Sequence, residues 1–357
     1  MEPIVHKVLE SFGINSEECQ VSAFGSGHIH DTYRVDQQVE GEPALILQKM
    51  NHFVFKDIPV LMQNMELVTE NISRKNQAAN LNPKENGIVL YYTPDGKSWI
   101  GDDEMGYWRM LYLIEEQIAF EQAEDADVAY EGGVAIARFQ SQLSDLDPEK
   151  IQDTIPEFLD LRGRMNQFEE SLKRASKERL KKAEKLIRIA KDQAEAALEV
   201  YDISENGDVP VRITHNDTKF NNILYNKNRK VTCMIDLDTV MKGYSWYDFG
   251  DALRTCASTA PEDEPDISKI GFNIDIFRGF ANGFLSIARD YLTKDELSIL
   301  HRAPGVFTYM QGVRFLSDYL DDDAYYKTAY PEHNFVRARA QFALMKCQLD
   351  LESEFLM

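Results

Sequence analysis

The spacing of hydrophobic and polar residues changes about a third of the way along the chain. PIVHKVLESF places its apolar residues at helical intervals, predicting a short amphipathic helix over 2–13 closed by Gly13. VSAFGSGHIHDTYRVD (21–36) reads as strand, glycine-containing turn, strand, and PALILQKM (43–50) as a compact apolar strand. Val60, Leu61, Met65, Val68 and Ile72 return to helical spacing and predict a helix from Asp57 to about Asn80. IVLYYTPDGKSWIG (88–101) predicts a hairpin around its Pro-Asp-Gly-Lys turn, and YWRMLYLIEE (107–116) a further apolar, aromatic strand.

Beyond that point helical spacing dominates. VAYEGGVAIARFQSQLSDL (128–146) predicts a helix ending before Asp147-Pro148. Within 157–200, ESLKRASKERLKKAEKLIRIAKDQAEAALEV has a thin apolar stripe, predicting one long exposed helix laced by i,i+4 charge pairs; a partner-binding coiled coil is the alternative. Two strand-like runs, VPVRI (209–213) and KVTCMI (230–235), flank the centre, and helices follow over 246–257, 267–291, 294–302, 306–320 and 332–355. The pattern is α+β: a β-rich N-terminal lobe (1–115), a mostly helical C-terminal lobe (116–357) and a cleft between them.

Composition narrows the partners. Net charge is −21 and the isoelectric point is about 4.8, so nucleic acid and anionic membranes, which need a basic footprint, are not expected partners. A polyphosphate ligand would have to be met by local cations, backbone amides and metal. Cys19, Cys233, Cys256 and Cys347 are scattered without a CxxC pair, which argues against a disulfide scaffold or zinc site and fits a reducing cytosol. No signal peptide and no apolar run near ~20 residues is visible. A cytoplasmic location is the expectation; the oligomeric state is not legible.

The candidate chemistry lies between the two central strands. Thr214-His215-Asn216-Asp217-Thr218-Lys219-Phe220-Asn221-Asn222 has the form H-x-D-x-x-x-x-N, and I-D-x-D follows fourteen residues after Asn222. A hydroxyl attacking a γ-phosphoryl group needs orientation and a proton acceptor, which Asp217 can supply from a fixed loop. Asn222 is a neutral oxygen donor suited to Mg²⁺, Asp236 adds a charged oxygen from a separate strand, and Asp238 is a further ligand or a supporting group. Lys219 can offset charge on the transferring phosphoryl. His215, two residues before the carboxylate, suits a loop-bracing hydrogen bond better than a base. Upstream, Gly25-Ser26-Gly27-His28-Ile29-His30 lets backbone amides approach a phosphate, although the third glycine of GxGxxG and a Walker lysine are absent.

HNDTKFNNIL with IDLD resembles the aminoglycoside phosphotransferase and choline kinase superfamily, and the flanking strings resemble its N-acetylhexosamine 1-kinase branch. The marks run over nearly the whole chain: FGSGHIHDTY, ILQKMN, MQNMELVTENI, YDFGDALRTCAST and GVRFLSDYLDDDAYYKTAYPEHNFVRARAQ. The resemblance implies a bilobal protein-kinase-like fold that uses ATP and Mg²⁺ to phosphorylate the anomeric hydroxyl of a small sugar. It implies Asp217 as base and Asn222 and Asp236 as metal ligands. Gly25 to His28 and Gln48 are implied at the phosphates, the strand end at Leu113 to Glu115 at the adenine, and His30, Asp217, Arg314 and Tyr325 at the sugar. One departure stands out. Where a kinase strand carries a lysine paired to a helix glutamate, Gln48 occupies the position and Lys49, adjacent, points to the other face of a regular strand. Either a bulge brings Lys49 in, with Glu66 as the would-be partner, or the nucleotide is held without that ion pair. Kinases of another small alcohol (choline, an aminoglycoside or homoserine) and a nucleotide-holding module without turnover are the rival readings.

Overall fold

The computed structural model describes residues 3–25 and 29–355. Ser26, Gly27 and His28 of the glycine turn lie outside the described residues. In chain order the elements are α1 (Pro3–Ser11), β1 (Cys19–Ala23), β2 (Asp31–Gln37), β3 (Leu45–Met50), α2 (Ile58–Ala78), α3 (Pro83–Asn86), β4 (Leu90–Tyr91), β5 (Trp99–Asp102), β6 (Gly106–Tyr112), α4 (Ala126–Leu143), α5 (Leu161–Arg174), α6 (Lys177–Ile203), β7 (Arg212–Thr214), β8 (Ile223–Tyr225), β9 (Val231–Met234), β10 (Met241–Gly243), α7 (Ser245–Cys256), α8 (Ile274–Ala288), α9 (Lys294–Ile299), α10 (Ala303–Leu320) and α11 (His333–Asp350). They form two compact units interleaved in sequence rather than divided at residue 115. The first holds Met1–Ile118, Gln142–Pro156 and Leu224–Lys242, and the second holds the rest.

The first unit is built on a sheet of order β1-β2-β3-β6-β4, with β5 also on β6. Period-two alternation sends Val35, Leu45, Leu47, Trp108 and Met110 to one face, where Val5, Val8 and Leu9 of α1 and Phe12 just after it cover them. Burying each large apolar side chain contributes about 1.5–3 kcal/mol. The opposite face carries Gln48 and Arg109, directly paired across β3 and β6. Asp57 caps α2 by accepting the Val60 N–H at 3.1 Å.

The expected hairpin around Pro94-Asp95-Gly96-Lys97 is not one. β4 and β5 do not pair with each other; both lie antiparallel along β6. The tight reversal is the next one, where Asp102 Oδ1 accepts the N–H groups of Glu104 and Met105 and Gly106 adopts a φ of 74°. The Pro-Asp-Gly signal marked a real turn, but the strand that satisfies both arms comes later in the chain.

The second unit is helical. α10 is buried on nearly every side, with α5, α6, α7 and α11 packed on it. The predicted single charged helix is two. α5 ends at Arg174, and Ser176 starts α6 by accepting the Arg179 N–H at 3.2 Å. α6 is not solvated all round: Ala183, Leu186, Ala190, Ala197 and Val200 are buried at three- and four-residue spacing. The helix predicted from 267 begins only at 274, where the Asn273 side chain accepts from Asp275 and Ile276. Helices α4 and α8 touch through their backbones, since a Cβ on Gly283 would fall 1.9 Å from the Tyr130 carbonyl oxygen. Among the described residues no helix is long and apolar enough to cross a membrane.

Candidate active site

In the second unit, β7 leads into a loop whose backbone is tied to α7. Asp248 is fully buried, and its two oxygens accept the His215 N–H (3.0 Å) and the Asn216 N–H (2.8 Å). The Gln140 amide donates to the same carboxylate at 2.8 Å. Burial pushes the Asp248 carboxyl up from its ordinary value, against the pull of His215 and of these donors. Asp251, one turn on, accepts the Thr218 N–H at 3.1 Å and is paired with Arg254 at 3.0 Å. Asn216 takes a left-handed φ of 65°, and its side-chain oxygen accepts from Thr214 Oγ1 at 2.8 Å. A Cβ on Gly243 would meet that hydroxyl at 2.3 Å, so only glycine fits beside the loop.

These ties fix the backbone and leave the Asp217 and Lys219 side chains turned outward. Asp217 is about one-fifth exposed, with Lys219 Nζ 3.0 Å from its Oδ1. Burial lowers the Lys219 pKa, but the adjacent Asp217 carboxylate outweighs it and the net displacement is upward. The Asn222 amide nitrogen donates to the Asp217 carbonyl at 2.9 Å, which turns its side-chain oxygen to the opposite side. His215 is buried against Phe139, and its Nδ1 sits 3.4 Å from the Asp217 N–H, a loop-bracing position. Asp248 and Asp251 went unassigned in sequence reasoning. The available signal was a pair of acids three residues apart among the aromatic and apolar residues of α7, since buried carboxylates need donors.

In the first unit the predicted residues meet around Arg109. This guanidinium is 2 % exposed and grips both oxygens of Asp238, with Nη2 to Oδ2 at 2.7 Å. Its Nε donates to Gln48 Oε1 at 2.9 Å, and the Gln48 amide donates to Thr32 Oγ1 at 3.2 Å. His30 Nδ1 accepts the Asn51 N–H at 3.0 Å, so its Nε2 carries the proton it donates to Asp238 at 2.6 Å. Arg109 holds the Asp238 carboxyl well below the usual range despite its burial. Asp238 and His30 are thus spent on internal contacts rather than turned toward a metal or a sugar. Arg109 has no part in the sequence pattern, because its partner lies 129 residues away.

The strand pairing of β3 is unbroken, so no bulge brings Lys49 across. Its Nζ lies 5.7 Å from the Trp108 ring on the α1 face, and Glu66 instead accepts a short hydrogen bond from Ser98. The lysine–glutamate pair of the kinase pattern is absent. The Leu113 N–H is taken by the Ala44 carbonyl at 3.0 Å, and Glu115 is exposed, 3.3 Å from Arg34. Asp236 is exposed in left-handed geometry (φ 60°, ψ 61°), a conformation costing a non-glycine residue on the order of 1–2 kcal/mol. Gly25 closes β1 with a φ of 78°.

Arg314, on α10 in the second unit, lies 5.8 Å from the Tyr326 ring and 5.7 Å from the Phe158 ring. Tyr325 stacks edgewise on Tyr326 and is three-quarters exposed, its backbone N–H held by Asp318 at 2.7 Å. Arg164 belongs to the same group: burial first, then the positive charge of Arg314, lowers its pKa. Among the described residues neither arginine forms an ion pair.

The fold is shared with solved phosphotransferases. An aminoglycoside phosphotransferase from Alicyclobacillus acidocaldarius is 12% identical over 99% of this chain and 97% of its own, with a TM-score of 0.64. A choline kinase from Cryptosporidium parvum is 14% identical over 96% and 93%, at a TM-score of 0.52. An ADP-bound aminoglycoside phosphotransferase is 14% identical over 96% and 98%, also at 0.52. Such identities speak to fold alone: a protein-kinase-like arrangement of a β-sheet N-terminal region and a helical C-terminal region. The sequence itself matches the model of the phosphotransferase enzyme family over residues 20–273, well over half its length, and the chain belongs to that family.

Proposed function

We propose that this phosphotransferase is an ATP-dependent kinase of N-acetylhexosamines that phosphorylates the anomeric hydroxyl. Asp217 orients that hydroxyl and takes its proton as the oxygen attacks the γ-phosphorus; the bond to the β–γ bridging oxygen breaks and ADP leaves. Lys219, 3.0 Å from Asp217, balances charge on the transferring group. Asn222 and Asp236 are the oxygen donors for Mg²⁺, a hard cation that suits such a set. The orientation of the Asn222 oxygen and the exposure of Asp236 fit this role. When bound, the metal neutralises negative charge on the transferring phosphates. Gly25 to His28 and Gln48 serve the nucleotide phosphates, and Leu113 to Glu115 the adenine.

The single observation that carries the acceptor class is the Arg164–Arg314 pair. Two guanidinium groups that feel each other's charge, neither of them in an ion pair among the described residues, repel a cationic alcohol such as choline or an aminoglycoside. They suit the hydroxyl and acetamide oxygens of a neutral sugar, with Tyr325 alongside. A coupled ADP-release screen over N-acetylglucosamine, N-acetylgalactosamine, choline, kanamycin and homoserine tests the reading, with ¹H and ³¹P spectra locating the phosphate. Turnover confined to choline, kanamycin or homoserine overturns the acceptor, and ATP binding without turnover on any alcohol overturns the kinase. Asp217→Asn is expected to cut kcat by about 10²–10⁴ with an unchanged melting profile.

A further inference from the structure

Away from Asp217 and its loop, the helical unit contains a cavity of about 340 Å³. It is walled by α6, by the start of α10 and the turn before it, and by the end of α11. Ala197, Val306, Tyr309 and Met345 give it buried apolar walls, and the exposed Ala196 and Leu349 form its rim. Tyr309 contributes its ring, because its hydroxyl is committed to the Ala190 carbonyl at 2.6 Å.

Two features mark the cavity as more than a packing fault. Gln348 lines it at 1 % exposure, and neither Oε1 nor Nε2 of its amide has a hydrogen-bond partner among the described residues. A buried amide left unmatched on both sides costs stability, and native chains rarely keep one without a use. Gly305 is the second. It lies in the first turn of α10, where a Cβ would meet only Leu349 Cδ2, at 3.8 Å. Glycine is a poor helix former, and here no steric demand or positive φ requires it. Its effect is to keep that wall open.

The charged groups at the edge are already matched. Arg302 donates to the Ala196 carbonyl (2.7 Å) and to Glu199 (2.9 Å), and His301 lies 3.6 Å from Glu352. A charged ligand would have to break one of these pairs, whereas a neutral one leaves both intact. The unmatched group is a carboxamide, whose complement is an edge with a donor and an acceptor side by side. We propose that this cavity binds a neutral small molecule that pairs its own amide edge with Gln348 and lays an apolar ring against Val306, Met345 and Leu349. A ring carboxamide and a cyclic imide both offer that edge.

Isothermal titration of the full chain with nicotinamide and with uracil tests the site and separates the two ligand types. At least one probe is expected to bind, and Gln348→Met, similar in volume but without the amide, to weaken it by about tenfold or more. Gly305→Leu, which fills the cavity from a position with room for a side chain, is expected to abolish binding. Because both variants remove unfavourable features, neither should lower Tm. Failure of both probes to bind the wild-type chain overturns the proposal. So does binding unchanged in Gln348→Met, or a Gln348→Met variant that melts several degrees lower, the behaviour of an amide satisfied by ordered water. These readouts do not involve phosphoryl transfer, so they stand or fall apart from the hexosamine reading.

Discussion

Asp238 in the first unit and Asp248 in the second are both buried aspartates, at 2 % and 0 % exposure, yet they are held by opposite means. Asp238 is neutralised by a full cation: Arg109 takes both oxygens and His30 donates a third bond. Asp248 is held chiefly by dipoles, two backbone N–H groups and the Gln140 amide. Its pKa consequently moves up while that of Asp238 moves down. The bidentate pair joins distant parts of the chain, whereas the backbone donors fix the turn at 215–216 and leave the Asp217 side chain turned outward beside Lys219.

The largest effect is expected from breaking the cationic clamp. Arg109→Met leaves Asp238 buried without its main partner and should cost about 3–5 kcal/mol in urea denaturation. Adding Asp238→Leu should recover most of that loss, because a buried ion pair can often be replaced by apolar packing. A single-variant loss below about 1 kcal/mol would mean that water reaches Asp238.

The dipolar clamp should break more gently and more locally. Asp248→Asn keeps the shape but sets an NH₂ group against one of the two backbone donors, costing about 1–3 kcal/mol. The loop at 215–217 then shifts, and a displacement near 1 Å costs about 10² in rate. Normal kcat together with lost stability would show that the neighbouring strand alone positions Asp217.

Acid titration sharpens the contrast because the signs differ. Asp238 has a depressed folded pKa, so its stabilisation is present above the unfolded value of about 3.9 and is lost as pH falls through the folded pKa. Asp248 has a raised pKa; its contribution is present below about 3.9 and is lost as pH rises through the folded value. Denaturation from pH 3 to 6 should therefore show the gap between wild type and Asp238→Asn shrinking toward acid and the gap for Asp248→Asn growing, each by at most about 1.4 kcal/mol per pH unit. Parallel slopes would refute the contrast.

The sequence made some of this legible and hid the rest for a physical reason. Asp217, Lys219 and Asn222 are local: six residues hold the candidate base, its cation and an oxygen donor, so spacing alone suggested their chemistry. The β-rich start and helical end were readable from periodicity, but whether Lys49 stays on the far face from Gln48 or is carried across by a bulge was settled only by the unbroken pairing of β3. Arg109 is a strand residue whose meaning lies 129 positions away. No local pattern contains that pairing, and Asp238 looked like a metal ligand because its cation was invisible. The Pro94–Lys97 turn failed similarly, since the partner strand of both arms is β6. The break between α5 and α6 was written in Ser176, but the unbroken charge pattern on either side masked it.

The smallest expected effect isolates burial as the variable. Arg34 and Glu115 also form an ion pair, at 3.3 Å, but Glu115 is 60% exposed and Arg34 keeps a second partner in Asp36 at 2.7 Å. Glu115→Gln therefore strands no charge: Arg34 stays paired, the glutamine amide stays hydrated, and solvent already screens the lost attraction. Denaturation should register about 0–0.5 kcal/mol. The KM for ATP should stay within about twofold if the main chain rather than this carboxylate meets the adenine, since an exposed charge adds little to affinity. A stability loss near that of Arg109→Met would mean that the partner, and not the burial, sets the cost of breaking a pair in this chain.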